Sequence, residues 1–386
     1  MHQWLLKHGH DSKVFITRIN DGLSTTEEGI YFFSSETDKK LHALFSRITG
    51  LQGYYSRIST WRLIRKLKVF NPEIVILRIL HSNCINLSML LQYLSSGQIA
   101  TIVILHDCWY FTGHCCYYSQ ITCNRWKSIC NKCPQIHEWN SSWFFDMSKR
   151  CLRDKQKWFS DIRKLGVIGV SDWITNEAKQ SILKSAVMIR RIYNWIDKDI
   201  FRPQETDDLR AELDIQEKDQ VLLGVAVGWS NCKGLREILL TAKELPAVKV
   251  ILVGEISESM RYPANVQCVG RINTPGILAK YYSMADVFLN PSVQETFGKT
   301  TAEAICCGTP VVAYETTACT ELIDGGRNGL LVKAGDKERY VDAVKKCLRT
   351  GKKEYMDRCR EFVDRNFDLE KNMNQYMNVF TELSKL

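Results

Sequence analysis

Apolar residues along this chain gather in short runs, and those runs alternate with longer stretches of helical spacing. The runs at 13–18, 72–77, 102–105, 167–171, 221–227, 248–253, 266–269, 285–289 and 310–314 predict short buried strands. Their near-continuous apolar character is that of strands covered on both faces. Helical patterns lie between them, at 87–94, 173–183, 235–245, about ten residues after Gly298, and 368–386. The order strand–helix–strand predicts an α/β chain with parallel sheets. Residues 4–10 read as the end of a helix stopped by Gly9, and residues 20–50 as a polar, irregular connection. Over 54–70, Ile58, Trp61, Ile64 and Leu67 recur at a spacing of three, which predicts a helix with one apolar face. Arg57, Arg62, Arg65, Lys66 and Lys68 surround that face.

The stretch 290–312, NPSVQETFGKTTAEAICCGTPVV, organises the rest. A polar turn follows the strand at 285–289, Glu295-Thr296-Phe297-Gly298 leads into a helix, and Gly308 with Pro310 ends it. The loop lies where open α/β sheets bind ligands. The backbone N–H groups of Phe297, Gly298 and Lys299 stand at a helix N-terminus, which favours a phosphate. Gly298 offers no side chain to obstruct a ligand. Glu295 and Glu303 are eight residues apart, just over two turns, so Glu303 is expected on roughly the side of the loop that carries Glu295. Acids there suit sugar hydroxyls. The plain alternative is one acid at the helix dipole and one in solvent.

Context decides between these. ADVFLNPS–x2–ETFG–x4–E–x4–GTPVVA resembles the donor-binding motif of retaining glycosyltransferases of the GT-B fold, the large family 4 (glycosyl transferases group 1) with its E-x7-E signature. The resemblance runs from Leu5 onward and implies two Rossmann-like domains with parallel sheets facing a cleft. It implies an N-terminal acceptor-side domain over 1–195, a nucleotide-sugar domain over 196–366, and a C-terminal helix at 367–386 that crosses back. The family's first strand and Gly-rich loop have no counterpart ahead of 4–10.

Other residues take roles by the same likeness. His106-Asp107 ends the strand at 102–105, where a site belongs. LHDxWxFTG there resembles a subgroup building exopolysaccharides of the colanic-acid type, in which His106 would reach the donor sugar. Lys233, in the loop WSNCKG, would meet the diphosphate as a point charge. A second basic residue is usual in that loop, and Trp229 stands near its place. Gly270-Arg271 matches a loop beside the nucleotide base. Glu321 and the turn Gly325-Gly326-Arg327-Asn328-Gly329 also fit. Trp195 replaces the usual glycine in the interdomain stretch Asn194-Trp195-Ile196-Asp197.

Composition changes the picture at two points. Fifteen cysteines are scattered through the chain, which suits reduced thiols and a cytoplasmic setting. In the insertion 108–135, Cys115, Cys123, Cys130 and Cys133 offer four thiolates in a segment poor in aliphatic residues. A structural zinc and a set of buried free thiols both fit them. Net charge is uneven: residues 1–195 hold 26 Lys and Arg against 14 Asp and Glu, and the remainder 26 against 29. The first half therefore seeks an anionic partner. No nucleic-acid motif accompanies it. The basic helix at 54–70 would lie peripherally on an anionic membrane, on its inner face, or pack in a core with a solvated basic face.

The implied reaction moves a hexose from a nucleotide-diphosphate sugar to a hydroxyl of a polysaccharide or lipid-linked glycan, with retention and no catalytic metal. His106, Glu295 and Lys233 would act on the reacting groups, and Glu303, Phe297, Gly298, Lys299, Gly270 and Arg271 would bind donor. The alternatives are a non-catalytic nucleotide-sugar-binding scaffold and, less well matched, a sugar-nucleotide epimerase.

Overall fold

A computed structural model describes residues 1–17, 28–256 and 261–386. The chain divides into two compact units, Met1–Ile192 with Met373–Leu386, and Tyr193–Asn372.

The first unit carries β1 (Val14–Ile16) beside β2 (Ile30–Phe32), and separately a four-stranded parallel sheet. That sheet runs β3 (Ile74–Leu77), β4 (Ala100–Leu105), β5 (Leu165–Gly169), β6 (Met188–Arg191), in sequence order. All residues of β4 and β5 are buried, as parallel strands covered on both faces require. The C-terminal helix Leu369–Ser384 reaches this sheet: a Cβ on Gly166 of β5 would stand 2.8 Å from Leu383 Cδ1.

Two expectations are corrected here. Residues 36–49, within the stretch expected to be irregular, form the helix Glu36–Thr49, capped by Ser35, whose Oγ accepts from the Asp38 N–H at 3.2 Å. Its buried residues are His42 and Ser46, while Leu41, Leu44 and Phe45 are exposed, so the apolar signal of a helix is inverted. Positions 20–27 of that stretch lie outside the described residues, as does Arg18 at the end of the first expected strand. The basic helix spans Arg57–Phe70 and buries Ser59, Thr60, Leu63 and Leu67. Of the stripe read from the sequence, Leu67 is buried and Ile64 half-buried, while Ile58 and Trp61 are 65% and 51% exposed, so the stripe does not pack into the core as one face.

The second unit is a six-stranded parallel sheet of β7 (Val221–Gly228), β8 (Lys249–Glu255), β9 (Val266–Val269), β10 (Val287–Asn290), β11 (Val311–Tyr314) and β12 (Gly329–Val332). Across the sheet the order is β12-β11-β10-β7-β8-β9. This is the doubly wound arrangement of dinucleotide-binding domains.

Candidate functional site

The winding of the second sheet reverses between β7 and β10. Ligands of such sheets bind outside the carboxyl ends of the strands at that reversal. The loops leaving β7 and β10 are laced together there. The Val293 N–H and the Ser292 hydroxyl both donate to the Cys232 carbonyl, at 3.1 and 3.2 Å. Gly234 permits this approach: its φ is +72°, and a Cβ would stand 2.4 Å from the Pro291 carbonyl oxygen. The loop after β11 joins them. Thr316 Oγ1 donates to the Ser292 carbonyl at 3.0 Å, and Thr317 Oγ1 accepts from the Glu295 N–H at 2.8 Å. Neither threonine stands out in the sequence, because a hydroxyl that holds a loop carries no spacing signal.

This frame brings Lys233 and Glu295 together, Nζ to Oε1 at 2.6 Å. The lysine side chain is 40% exposed and the carboxylate 15%. A partly exposed pair contributes only about 0–1 kcal/mol, so the ammonium is readily turned toward another anion. Beyond Glu295, Phe297 is buried against Tyr193 and Phe367, with ring centroids 6.0 and 5.8 Å apart. Gly298 then caps the helix Lys299–Cys306 with φ +83°, a left-handed conformation that glycine adopts at little cost. The amides of the first turn have no partner within the helix and carry its positive pole. Asn290 at the end of β10 donates to Thr301 Oγ1 at 2.7 Å and fixes the helix to the strand.

Glu303 is not the solvent-facing acid of the plain alternative. It is 3% exposed and accepts from the Tyr282 hydroxyl at 3.0 Å, with Lys299 Nζ at 3.2 Å. Burial pushes its carboxyl pKa up, and Lys299 and Tyr282 act against that rise. The two acids thus have separate partners: Glu295 faces the loop after β7, whereas Glu303 faces the helix Pro275–Met284 that carries Tyr282. Tyr282 was not legible as a site residue, since its spacing is that of a core aromatic. Gly270 and Arg271 follow β9, exposed, at the sheet edge. One strand, β8, separates β9 from β7.

In the first unit His106 leaves the carboxyl end of β4. Arg78, which follows β3, donates to its Nε2 from Nε at 3.2 Å, and the Arg78 terminal nitrogen is 3.0 Å away. Burial first, and then the Arg78 charge, lowers the His106 pKa to about 4. The ring is neutral at pH 7. Arg78 was missed because it follows an edge strand with no motif around it. Beside them Asp107 takes His81 Nε2 at 2.8 Å and the Trp109 N–H at 2.8 Å.

All fifteen cysteines are free. Cys115, Cys123, Cys130 and Cys133 line one cavity of about 10 Å³. A second cavity of about 490 Å³ lies on the basic helix, lined among others by Trp61, Arg62, Arg65, Lys66 and Lys13. Arg65 stacks over Trp61 at 4.9 Å, and Lys13 over Phe70 at 4.3 Å. No described helix is long and apolar enough to cross a membrane.

Residues 220–350 match the family described as glycosyl transferases group 1. The N-acetyl-alpha-D-glucosaminyl L-malate synthase of Bacillus anthracis is 26% identical over 228 residues, which are 56% of this chain and 59% of that protein. A D-inositol 3-phosphate glycosyltransferase of Mycobacteroides abscessus is 32% identical over 171 residues, 41% of this chain and 38% of that protein. The matches therefore span less than two thirds of these curated relatives. Among solved structures, the sucrose-phosphate synthase of Thermosynechococcus elongatus superposes with a TM-score of 0.70 at 17% identity, covering 99% of this chain and 91% of that one. Anabaena Alr3699/HepE in complex with UDP gives 0.65 at 17% identity, covering 92% and 91%. The same Anabaena protein has also been solved with UDP-glucose. At these identities the likeness shows the fold, an α/β GT-B fold of two Rossmann-like domains.

Proposed function

We propose that the chain is a glycosyltransferase of group 1 that takes a hexose from a nucleotide-diphosphate sugar and passes it to a hydroxyl acceptor with retention of configuration. One observation carries the reading: Lys233 and Glu295, 2.6 Å apart, meet at the winding reversal, in the loop that leads into a helix N-terminus. That arrangement supplies what departure of a diphosphate requires. Lys233 and the amides of the helix start meet the developing negative charge. Glu295, once Lys233 turns to phosphate, offers its carboxylate to the hexose. Glu303 takes ribose hydroxyls as Lys299, 73% exposed at its side chain, swings outward. His106, neutral and already an acceptor at Nε2, contacts a sugar hydroxyl. No step calls for a metal.

The acceptor we assign is a polysaccharide or lipid-linked glycan of the exopolysaccharide class, at the inner face of an anionic membrane. The charge asymmetry and the exposed Ile58, Trp61 and Val69 among basic residues support it. The relatives' names point instead to small acceptors, L-malate and inositol phosphate. A second reading, a nucleotide-sugar-binding scaffold without turnover, rests on Trp229. It occupies the place of the usual second base and gives its indole N–H to the Val253 carbonyl at 3.2 Å.

The test is a donor library of nucleotide sugars offered with lipid-linked glycans, malate and inositol phosphate, read by mass spectrometry. Transfer to lipid-linked acceptors supports the full reading. Transfer to a small acceptor alone replaces the acceptor assignment. Donor binding without transfer or hydrolysis selects the scaffold.

A further inference from the structure

We propose that Cys115, Cys123, Cys130 and Cys133 bind one structural zinc ion. The proposal stands apart from the transferase reading.

Between β4 and the helix Ser148–Ser160 the described backbone forms no α-helix or strand, only three short 3-10 turns. Its own Trp109, Phe111, Tyr118 and Trp126 are buried, yet few aliphatic side chains hold the segment. A cross-link would stabilise such a loop, and all its cysteines are free thiols. The four named cysteines all line one cavity of about 10 Å³. That is room for one atom-sized guest, and none for an organic ligand.

The backbone around the cavity is held by a set of local contacts. Cys130 and Cys133 bracket a tight turn in which Lys132 takes φ +48° and Asn131 Oδ1 accepts the Lys132 N–H at 3.0 Å. The Gly113 N–H donates to Cys130 Sγ at 3.3 Å, the kind of bond that supports a thiolate ligand. A Cβ on Gly113 would stand 2.8 Å from the Cys130 Cβ, so glycine is required for that approach. Asp146 Oδ2 holds the Cys133 N–H at 2.7 Å, and Arg125 donates to the Asn131 carbonyl at 2.8 Å. One polar atom of a cavity-lining residue, Gln135 Oε1, is buried with no hydrogen-bond partner. A wall with such an orphan is incomplete as it stands.

Elsewhere among the described residues, the donor atoms of His81, Asp107 and Cys116 lie within 4.8 Å of one another. That group is accounted for without an ion, because His81 and Trp109 already satisfy Asp107. The four cysteine sulfurs are not drawn together so tightly, and binding closes them. Zinc then contributes folding free energy to the loop that begins two residues beyond His106.

The experiment uses the full chain, made in zinc-supplemented medium, freed of any tag and dialysed against metal-free buffer. Elemental analysis should give one zinc per chain, and X-ray absorption four sulfurs at about 2.3 Å. Cys130→Ser should lose the metal, whereas Cys116→Ser should keep it. If Cys130→Ser fails to fold, the absorption spectrum of the unaltered protein decides by its ligand set. Zinc-free protein, a nitrogen- or oxygen-rich shell, zinc lost only from Cys116→Ser, or disulfides between these cysteines by mass spectrometry would each overturn the proposal.

Discussion

Lys233 and Glu295 come from loops more than sixty residues apart in sequence and close to 2.6 Å at the carboxyl ends of adjacent strands. Each neutralises the other, and on the proposed function the pair would be the resting state that a charged donor exchanges for contacts of its own.

The two acids of the motif are expected to fail differently. Glu303 would hold ribose hydroxyls whose bonding does not change during reaction, so Glu303→Gln should raise donor KM. Glu295 would hold the hexose as positive charge develops on it, so Glu295→Gln should lower kcat. A hydrogen bond to a charged group is worth roughly 1.5–3 kcal/mol, which makes each loss about ten- to hundred-fold. Steady-state kinetics with the cognate donor read this out. Near-normal kcat/KM in both variants would reduce the motif to a helix cap.

Gly234→Ala should destabilise the second unit. Left-handed backbone costs an alanine about 1–2 kcal/mol, and its Cβ meets the Pro291 carbonyl oxygen at 2.4 Å. Gly276→Ala is the control: it lies in a helix with nothing within 4 Å of the added carbon, so stability should hold or rise by about 0.5–1 kcal/mol. Thermal melts of the two variants should therefore move apart. Equal melting temperatures would mean that the two loops are not held as described.

Acid should weaken the first unit before it titrates carboxylates. His42 is buried, its Nδ1 lies 2.8 Å from Ser56 Oγ, and burial lowers its pKa to about 4. His106 and His114 are lowered too. Between pH 6.5 and 4 the unfolded chain binds more protons than the folded one, so stability present above pH 6.5 is lost as pH falls through that window. The His42 share is on the order of 3 kcal/mol. His42→Leu should flatten the slope of stability against pH, leaving what His106 and His114 contribute. A slope unchanged from the parent protein would show that His42 titrates normally.

Vesicles containing anionic lipid should bind the chain, and salt should weaken the binding. Each basic residue near such a surface contributes on the order of 1 kcal/mol, so Arg62→Glu, Arg65→Glu and Lys66→Glu combined should abolish it. Trp61→Ala should weaken it while leaving the salt dependence in place. Binding that is equal on neutral vesicles would rule out charge as the cause.

The parallel sheets were legible because their strands are continuous apolar runs, such as the wholly buried β4 and β11. The motif around Glu295 was legible because glycine, acid and helix start have fixed spacing. The helix Glu36–Thr49 was not, because it turns His42 and Ser46 inward and its large apolar residues outward. The helix Arg57–Phe70 was placed, but only Leu67 of its spaced apolar residues lies on the buried row. Ser59, Thr60, Leu63 and Leu67 form the inner row, and two of these are polar. Arg78, Tyr282 and Thr317 escaped notice for another reason: each acts through a contact made only when distant strands assemble.

The position of β7 also bears on how the protein is made. Its neighbours are β8, which follows closely, and β10, whose Asp286 and Val287 meet Val221 and Leu222 some 65 residues later in the chain. At about 5–20 residues per second, synthesis leaves that central apolar strand with one open edge for roughly 3–13 s. An unpaired, fully apolar edge is a template for association with other chains. Nascent chains halted between β8 and β10 are therefore the ones that chaperones should hold most avidly.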